Sequence, residues 1–259
     1  MGRFQHDFVE ANPDDVELRD AATIMIVRDD PAFEVLMVQR SSSAAFGAKA
    51  WVFPGGRVDA GDGDKASDEP WRRAAVRETF EEAGLLLCAP AGLLAALAAP
   101  EEVLALRSAV KEERVDLFAK IASIGATLLL GEMHEVGRFI TPVGPPRRFD
   151  TYFYLAAAPH DQTPSPDGSE VVDARWVSPR RAVEEWRAGT FPLMSVTLRM
   201  LASLARYESV KEVVSMAASS PDARRVRVND PRGSYDVLLP EDDGYEDAEL
   251  EIEHGWVRL

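Results

Sequence analysis

The sequence predicts an α/β fold. Three observations carry this. Two apolar, β-branched runs are joined by a turn near the start, a strand, a glycine turn and a helix follow one another in residues 50–85, and the later chain alternates short strands with stretches of helical periodicity.

AATIMIVRD (21–29) and FEVLMVQR (33–40) read as buried strands, and Asp29-Asp30-Pro31 turns the chain between them into a hairpin. Ser41–Lys49 is a loop that leads into the apolar Trp51–Phe53. Pro54-Gly55-Gly56 ends that run, because glycine admits backbone angles and close approaches that other residues do not. Ser67 or Asp68 suits a helix cap, Pro70 its first turn and Gly84 its end, which predicts a helix over 71–83.

From Pro90 to Leu130 apolar residues recur at helical spacing: Leu93, Leu94 and Leu97, then Val103, Leu104, Leu106, Val110, Leu117 and Ile121. Residues 89–131 therefore read as a helical insertion, divided at Pro100, that packs on the core; a lid over substrate is the second reading. Strands are expected at 138–141, 149–158 and 171–179, with 159–170, rich in Pro, Ser and Asp, as a mobile loop. Helices follow at Pro179–Arg187, 194–207 and 210–218. Residues 223–240 suggest a hairpin around Pro231-Arg232-Gly233, and the acids of 241–253 a solvated tail. The expected organisation is one domain over 1–259, with 223–259 as C-terminal hairpin and acidic tail.

Composition narrows the function. A chain of 259 residues with 46% hydrophobic content suits one globular domain. Its net charge of −15 argues against a nucleic-acid scaffold, and an anionic substrate would need a metal and local arginines to offset that field. The one cysteine, Cys88 in LLLCAP, excludes an intramolecular disulfide and reads as a buried, inert thiol. No run of about 20 apolar residues exists, and the start lacks an apolar signal core, so no membrane is expected and the expected location is cytoplasmic. His6, His134, His160 and His254 show no metal-ligand spacing.

The chemistry concentrates on the helix over 71–83. Val76, Phe80 and Ala83 form its apolar stripe, and Glu78, Glu81 and Glu82 project from the other side as i, i+3, i+4 neighbours. Like charges so placed repel by roughly 0.2–0.5 kcal/mol per pair. The residue four after Glu78 is Glu82, the residue four after Glu81 is Leu85, and only Arg77, four before Glu81, offers relief within the helix. A hard divalent cation would neutralise the cluster, because such ions take carboxylate oxygens. The plain alternative is a solvated acidic face.

The stretch resembles the Nudix box, whose pattern is Gly-x5-Glu-x7-Arg-Glu-Ile/Leu/Val-x-Glu-Glu-x-Gly-Ile/Leu/Val. Gly56 matches its first glycine; Arg77, Glu78, Glu81, Glu82, Gly84 and Leu85 match its end; FPGG precedes it. Asp62 stands at the first acidic position, and 14 residues separate it from Arg77 where the pattern has seven. RRFDTYFYL, ARWVSP and FPLMSVTLRMLASLARYESV extend the resemblance to the branch of this superfamily that hydrolyses coenzyme A and its thioesters, which also carries a widened box and a helical insertion. Arg40-Ser41 and FPGG fall in register with a motif of coenzyme A hydrolases, while Ala45 and Lys49 replace its second arginine and its glycine.

The resemblance implies a Nudix fold, an α/β/α sandwich with a mixed sheet and a helical insertion. It implies metal-dependent hydrolysis of a diphosphate linkage, with coenzyme A or acyl-coenzyme A as first substrate; ADP-ribose, NADH or a nucleotide sugar, or a non-catalytic ligand-binding role, are the alternatives. Glu81 and Glu82, with Glu78 and the Gly55 carbonyl, would hold Mg²⁺ or Mn²⁺; Glu78 would also activate water, with Arg77 holding it in place. Glu170 is the candidate for a further loop carboxylate. Arg40, Gly56, Arg147 and Arg148 are the candidate substrate-binding residues, with Arg147 favoured for a distant phosphate and Arg148 expected to pair with Asp150. The partner would be a small-molecule diphosphate, with neither nucleic acid nor membrane; a homodimer stays open.

Overall fold

The computed structural model of the chain describes residues 16–44, 47–90, 100–143, 145–229, 235–248 and 253–259. The expectations placed on Ala45, on Leu93, Leu94 and Leu97, and on the 231–233 turn lie outside the described residues. The strands are β1 (Leu18–Asp29), β2 (Phe33–Arg40), β3 (Trp51–Val52), β4 (Gly55–Arg57), β5 (Cys88–Ala89), β6 (Thr127–Leu128), β7 (His134–Ile140), β8 (Arg148–Ala157), β9 (Val171–Val177), β10 (Arg224–Arg225), β11 (Arg227–Val228), β12 (Val237–Leu238) and β13 (Gly255–Val257). The helices are α1 (Glu69–Ala83), α2 (Pro100–Lys111), α3 (Leu117–Ser123), α4 (Pro179–Arg187), α5 (Ser195–Leu204) and α6 (Val210–Ala218).

Nine strands form one mixed sheet in the order β10-β13-β7-β8-β1-β2-β3, with β4 paired to β1 and β9 to β2. β1 is its spine. It runs parallel to β8 from Leu18 opposite Arg148 to Val27 opposite Ala157, and antiparallel to β2 as the predicted hairpin. Alternation sends side chains of one strand to opposite faces. Met25 and Val27 of β1 meet Met200, Leu201 and Val213 of α5 and α6, whereas Ile24 and Ile26 meet Val76 and Phe80 of α1 and Val110 of α2. Both faces are therefore covered, which is why β1 and β2 read as continuous apolar runs rather than alternating ones. The arrangement is the α/β sandwich that the sequence predicts.

The insertion begins and ends on a two-stranded sheet, with Cys88 opposite Leu128 and Ala89 opposite Thr127. Cys88 is buried, and burial raises its pKa, as suits an inert thiol. Among the described residues, no helix is long and apolar enough to cross a membrane.

Two expectations are corrected. The C-terminal segment is not only a hairpin and a solvated tail. β11 and β12 do pair, but the chain then returns as β13, which inserts between β7 and β10 with Trp256 opposite Arg138 and Val257 opposite Gly137. Its apolar side chains decide this: Val257 and Leu259 are buried in the core, which outweighs the acids before them. The 159–170 loop, in turn, is pinned at several points. Gln162 exchanges two hydrogen bonds with the Leu86 backbone, at 2.8 and 3.0 Å, and the Ser165 N–H donates to the Ala83 carbonyl at 2.8 Å.

Candidate active site

The site is built where β4 passes α1. Gly55 lies opposite Thr23 and Gly56 opposite Ala22, so the glycine turn is held flat against the spine of the sheet. A side chain on Gly55 would start 2.4 Å from the Ala22 carbonyl oxygen, and one on Gly56 would start 2.4 Å from the Glu78 carboxylate. The pair of glycines thus lets sheet, turn and glutamate close together. Pro70 lies in the first turn of α1, and Gly84, at φ 70°, ends it in the left-handed conformation that glycine adopts readily.

Arg77 is the hub. Its Nε and Nη2 donate to Asp62 Oδ1 and Oδ2, both at 2.9 Å; Nη2 also donates to the Arg57 carbonyl at 2.8 Å, and Nη1 donates to Glu78 Oε1 at 2.9 Å and Glu81 Oε1 at 3.4 Å. Asp62 is fully buried on a short 3-10 turn (Ala60–Asp62), so the first acidic position of the box is an anchor for the arginine. Glu82 Oε2 accepts the Gly55 N–H at 3.1 Å. The plain alternative of a solvated acidic face does not hold for two of the three glutamates: Glu81 and Glu82 are 9% and 6% exposed.

Burial governs their ionisation. It pushes Glu78 up to about 7, opposed by Arg77 and reinforced by Glu81. Glu82 is held well above the usual carboxylate range by burial and by Glu78, against the Gly55 N–H and the charge of Arg40. Glu81 is raised by burial, with Arg77 opposing. Burial also works against the Arg77 charge, but the Asp62 fork and the fields of Glu78, Asp62 and Glu81 hold its pKa above the ordinary value.

The donor chemistry fits a hard divalent cation. Each of the three carboxylates uses only one oxygen in hydrogen bonds within the described residues, which leaves Glu78 Oε2, Glu81 Oε2 and Glu82 Oε1 over. Burial raises these carboxylates in spite of Arg77, two of whose donors go to Asp62. The oxygens are not gathered into a finished cage: among the described residues, no group of three His, Cys, Asp or Glu is arranged to hold a metal.

Of the other candidates, two come to this place. Arg40, at the end of β2, pulls the Glu82 pKa down by its charge, and Glu170 raises those of both Glu81 and Glu82. Glu170 is positioned by its carbonyl, which accepts the Ser41 N–H at 2.8 Å, next to Arg40. Arg147 and Arg148 are not brought in. Arg147 is exposed. Arg148 donates Nε to the Thr141 carbonyl at 3.1 Å and sits opposite Leu18, four residues along β1 from the Ala22 beside Gly56, about 13 Å at the rise of a strand. The expected Arg148–Asp150 pair does not form, because Arg138 takes both Asp150 oxygens, at 2.8 and 2.6 Å.

Sequence reasoning missed Arg107 of the insertion. It is 4% exposed and donates Nη2 to the Glu81 carbonyl at 2.8 Å. The available signal was an arginine set among the apolar positions of α2, in VLALRSAV. Two surface hollows, of about 510 and 360 Å³, lie elsewhere; Arg72, His134 and Arg258 line the first, and Trp186, Met194 and Arg199 the second.

Comparison with known proteins gives the family. A family model described as the NUDT19 Nudix domain matches residues 63–196. A Caenorhabditis elegans protein assigned the name nudix hydrolase 7 is 36% identical over 177 residues, covering 68% of this chain and 56% of that one. Acyl-coenzyme A diphosphatase NUDT19 of Gallus gallus is 26% identical over 267 residues, covering 75% and 70%, and that of Homo sapiens 27% over 242, covering 72% and 64%. The chain thus spans between about half and about two thirds of the length of these relatives. A crystal structure of a Nudix hydrolase from Alicyclobacillus acidocaldarius superposes with a TM-score of 0.68 at 28% identity, covering 78% of this chain and 97% of that one. With more than half of its residues matched by that model, the chain belongs to the NUDT19 Nudix domain family.

Proposed function

We propose that the protein hydrolyses the diphosphate linkage of a nucleoside-diphosphate derivative, with coenzyme A or an acyl-coenzyme A as the first substrate to test, in the presence of Mg²⁺ or Mn²⁺. One observation carries the reading: three neighbouring carboxylates of α1, Glu81 and Glu82 buried and Glu78 nearly so, each keep an oxygen to spare beside an arginine already committed to Asp62, with Glu82 and Glu78 set against the glycine turn. Glu81, Glu82 and Glu78, with the Gly55 carbonyl, would hold the cation. When bound, the cation supplies charge neutralisation of the diphosphate oxygens and acidifies water.

The chain's own residues supply the rest. Water attacks one phosphorus, the bridging P–O bond breaks, and two phosphate monoesters leave. Glu78, raised to about 7, is poised to take the water's proton near neutral pH. Arg77 sets the Glu78 carboxylate by the bond to Oε1 and is itself fixed by Asp62. Glu170 adds a loop carboxylate near Glu81 and Glu82. Gly56 leaves room beside Glu78, and Arg40, whose charge acts on Glu82, carries a guanidinium suited to phosphate oxygens. The substrate class rests on the names of the chicken and human relatives and on the Arg40-Ser41…FPGG register.

The test is a panel of coenzyme A, acetyl-coenzyme A, NADH, ADP-ribose and a nucleotide sugar, incubated with Mg²⁺, with Mn²⁺ or with chelator, and read by chromatography of the monoester products. Cation-dependent cleavage of the coenzyme A compounds above the others is expected. No cleavage of any member sinks the enzymatic reading, and preference for another member moves the substrate.

A further inference from the structure

The insertion helix α2 carries two cations, Arg107 and Lys111, four residues apart and hence on one face. Arg107 reaches α1. The last carbonyls of a helix lack partners within it: the C-cap Gly84 N–H closes on the Phe80 carbonyl at 3.0 Å as the helix's own last bond, and beyond it other segments supply the partners, Ser165 N–H to the Ala83 carbonyl at 2.8 Å and Arg107 Nη2 to the Glu81 carbonyl at 2.8 Å. Arg107 also lies over Gly84, where a side chain would start 3.1 Å from its Nη1.

Lys111 reaches the loop. Its Nζ pairs with Asp167 and lies 3.1 Å from Ser169 Oγ and 3.5 Å from Glu170 Oε2. Asp167 Oδ1 accepts the N–H groups of Ser169, Glu170 and Val171 at 2.9, 3.0 and 2.9 Å, so it shapes the bend that presents Glu170. One face of α2 thus grips both the turn of α1 that bears Glu81 and Glu82 and the loop that bears Glu170.

Packing alone does not account for this choice. Arg107 is almost completely buried, its Nε has no hydrogen-bond partner among the described residues, and burial lowers its pKa. Burying a guanidinium is costly, and Met or Leu would fill the space without that cost.

We propose that the insertion is part of the catalytic apparatus, with Arg107 and Lys111 as positioning residues that hold Glu81 and Glu82 at a set distance from Glu170. This rests on reading the α1 carboxylates as the cation site. Partners of this kind, once removed, weaken metal affinity or activity about 10- to 100-fold.

The test uses Arg107→Met, Arg107→Lys, Lys111→Met and, as a control on the site itself, Glu82→Gln. Each full-length variant is titrated with Mn²⁺ alone by electron paramagnetic resonance and followed by amide hydrogen exchange. The clamp predicts about 10-fold or greater loss of Mn²⁺ affinity in Arg107→Met, with partial recovery in Arg107→Lys. In Lys111→Met it predicts faster exchange at Ser169, Glu170 and Val171 and a fall in kcat with KM little changed. Should Arg107→Met not fold, Arg107→Lys and the partly exposed Lys111→Met decide the matter. If Glu82→Gln loses Mn²⁺ while the α2 variants keep both parental affinity and parental exchange, the clamp is wrong and the site stands. If Glu82→Gln binds Mn²⁺ as the parent does, the site reading fails and the clamp falls with it.

Discussion

Arg77 and Asp62 meet through two parallel hydrogen bonds of 2.9 Å, although 14 residues separate them in sequence. The fork does more than join two charges. It leaves Nη1 free to hold Glu78, so the orientation of the candidate base depends on a fully buried aspartate on a different element.

Asp62→Ala should therefore cost both stability and turnover. Removing one partner of a buried pair leaves the other charge uncompensated, at about 3–5 kcal/mol. At the ~2–4 °C per kcal/mol expected for a chain of this size, the melting temperature should fall by roughly 6–20 °C. A thermal melt checks this, and a shift under ~3 °C would mean that the Arg57 carbonyl and Asp59, whose Oδ2 lies 3.5 Å from Arg77 Nη2, suffice to hold Arg77.

The widened box should be dispensable. Gly63 lies beside Pro70, with 3.8 Å from the place of a Cβ on the first to the ring of the second, so the excursion between them starts and ends at one point. Deleting 63–69 removes the Lys65–Asp20, Asp68–Arg72 and Glu69–Arg73 pairs, which are exposed and worth about 0–1 kcal/mol each. The variant should melt within a few degrees of the parent and bind Mn²⁺ with similar affinity. Loss of binding would make the loop part of the site.

Glu82→Gln should lose at least ~10²-fold in turnover, from the loss of charge stabilisation worth several kcal/mol. Its fold should survive. Without metal it should melt above the parent at neutral pH, because burial and Glu78 disfavour the ionised carboxylate that the amide replaces. Steady-state kinetics and chelated melting curves check the two halves separately; an unfolded variant or near-parental turnover contradicts the assignment.

The same burial sets a pH dependence. Glu78 has a folded pKa of about 7 against an ordinary 4.5, so the folded state holds its proton more tightly than the unfolded chain does. Its contribution is most favourable below about 4.5 and is lost as pH rises to about 7. Chelated protein should lose melting temperature across that window. Excess Mg²⁺ should stabilise more at pH 8 than at pH 5, since cation and protons compete for the same oxygens. A stabilisation independent of pH would place the cation elsewhere.

Much of this was legible in the chain because it is local. The hairpin of β1 and β2, the Pro70 start and Gly84 end of α1, and the stacking of Glu78, Glu81 and Glu82 depend on side-chain type and spacing over a few residues. What was not legible depends on partners far away in sequence. β13 hides behind an acidic segment, and its three residues become a strand only because β7 offers an edge 116 to 120 residues earlier. Asp150 could not be assigned to Arg138 rather than Arg148 from one strand's alternation, because the answer lies in the register between β7 and β8. The 159–170 loop has the composition of a mobile segment, yet Gln162, Ser165 and Asp167 each find a partner on a different element.

The last expectation concerns which arginine reads the phosphates of the substrate. A net charge of −15 and a carboxylate cluster repel a polyanion, so an arginine close to the cluster has most to contribute. Arg40 is the candidate arginine whose charge acts on Glu82, and its neighbour Ser41 is bonded to Glu170. Arg147 has charge and exposure but stands beyond the far end of β8. Arg40→Ala should raise KM for coenzyme A about 10- to 100-fold, from the loss of ~1.5–3 kcal/mol of charge-assisted hydrogen bonding, with a smaller change in kcat. Arg147→Ala should leave both constants near parental values. Measuring each variant on coenzyme A and on its dephospho form separates contact with the distal phosphate from contact with the diphosphate. If Arg40→Ala weakens both substrates equally, Arg40 serves the diphosphate itself. If only Arg147→Ala discriminates between them, the substrate runs along β8 instead, and the distal phosphate lies at the end of the sheet where Leu18 faces Arg148.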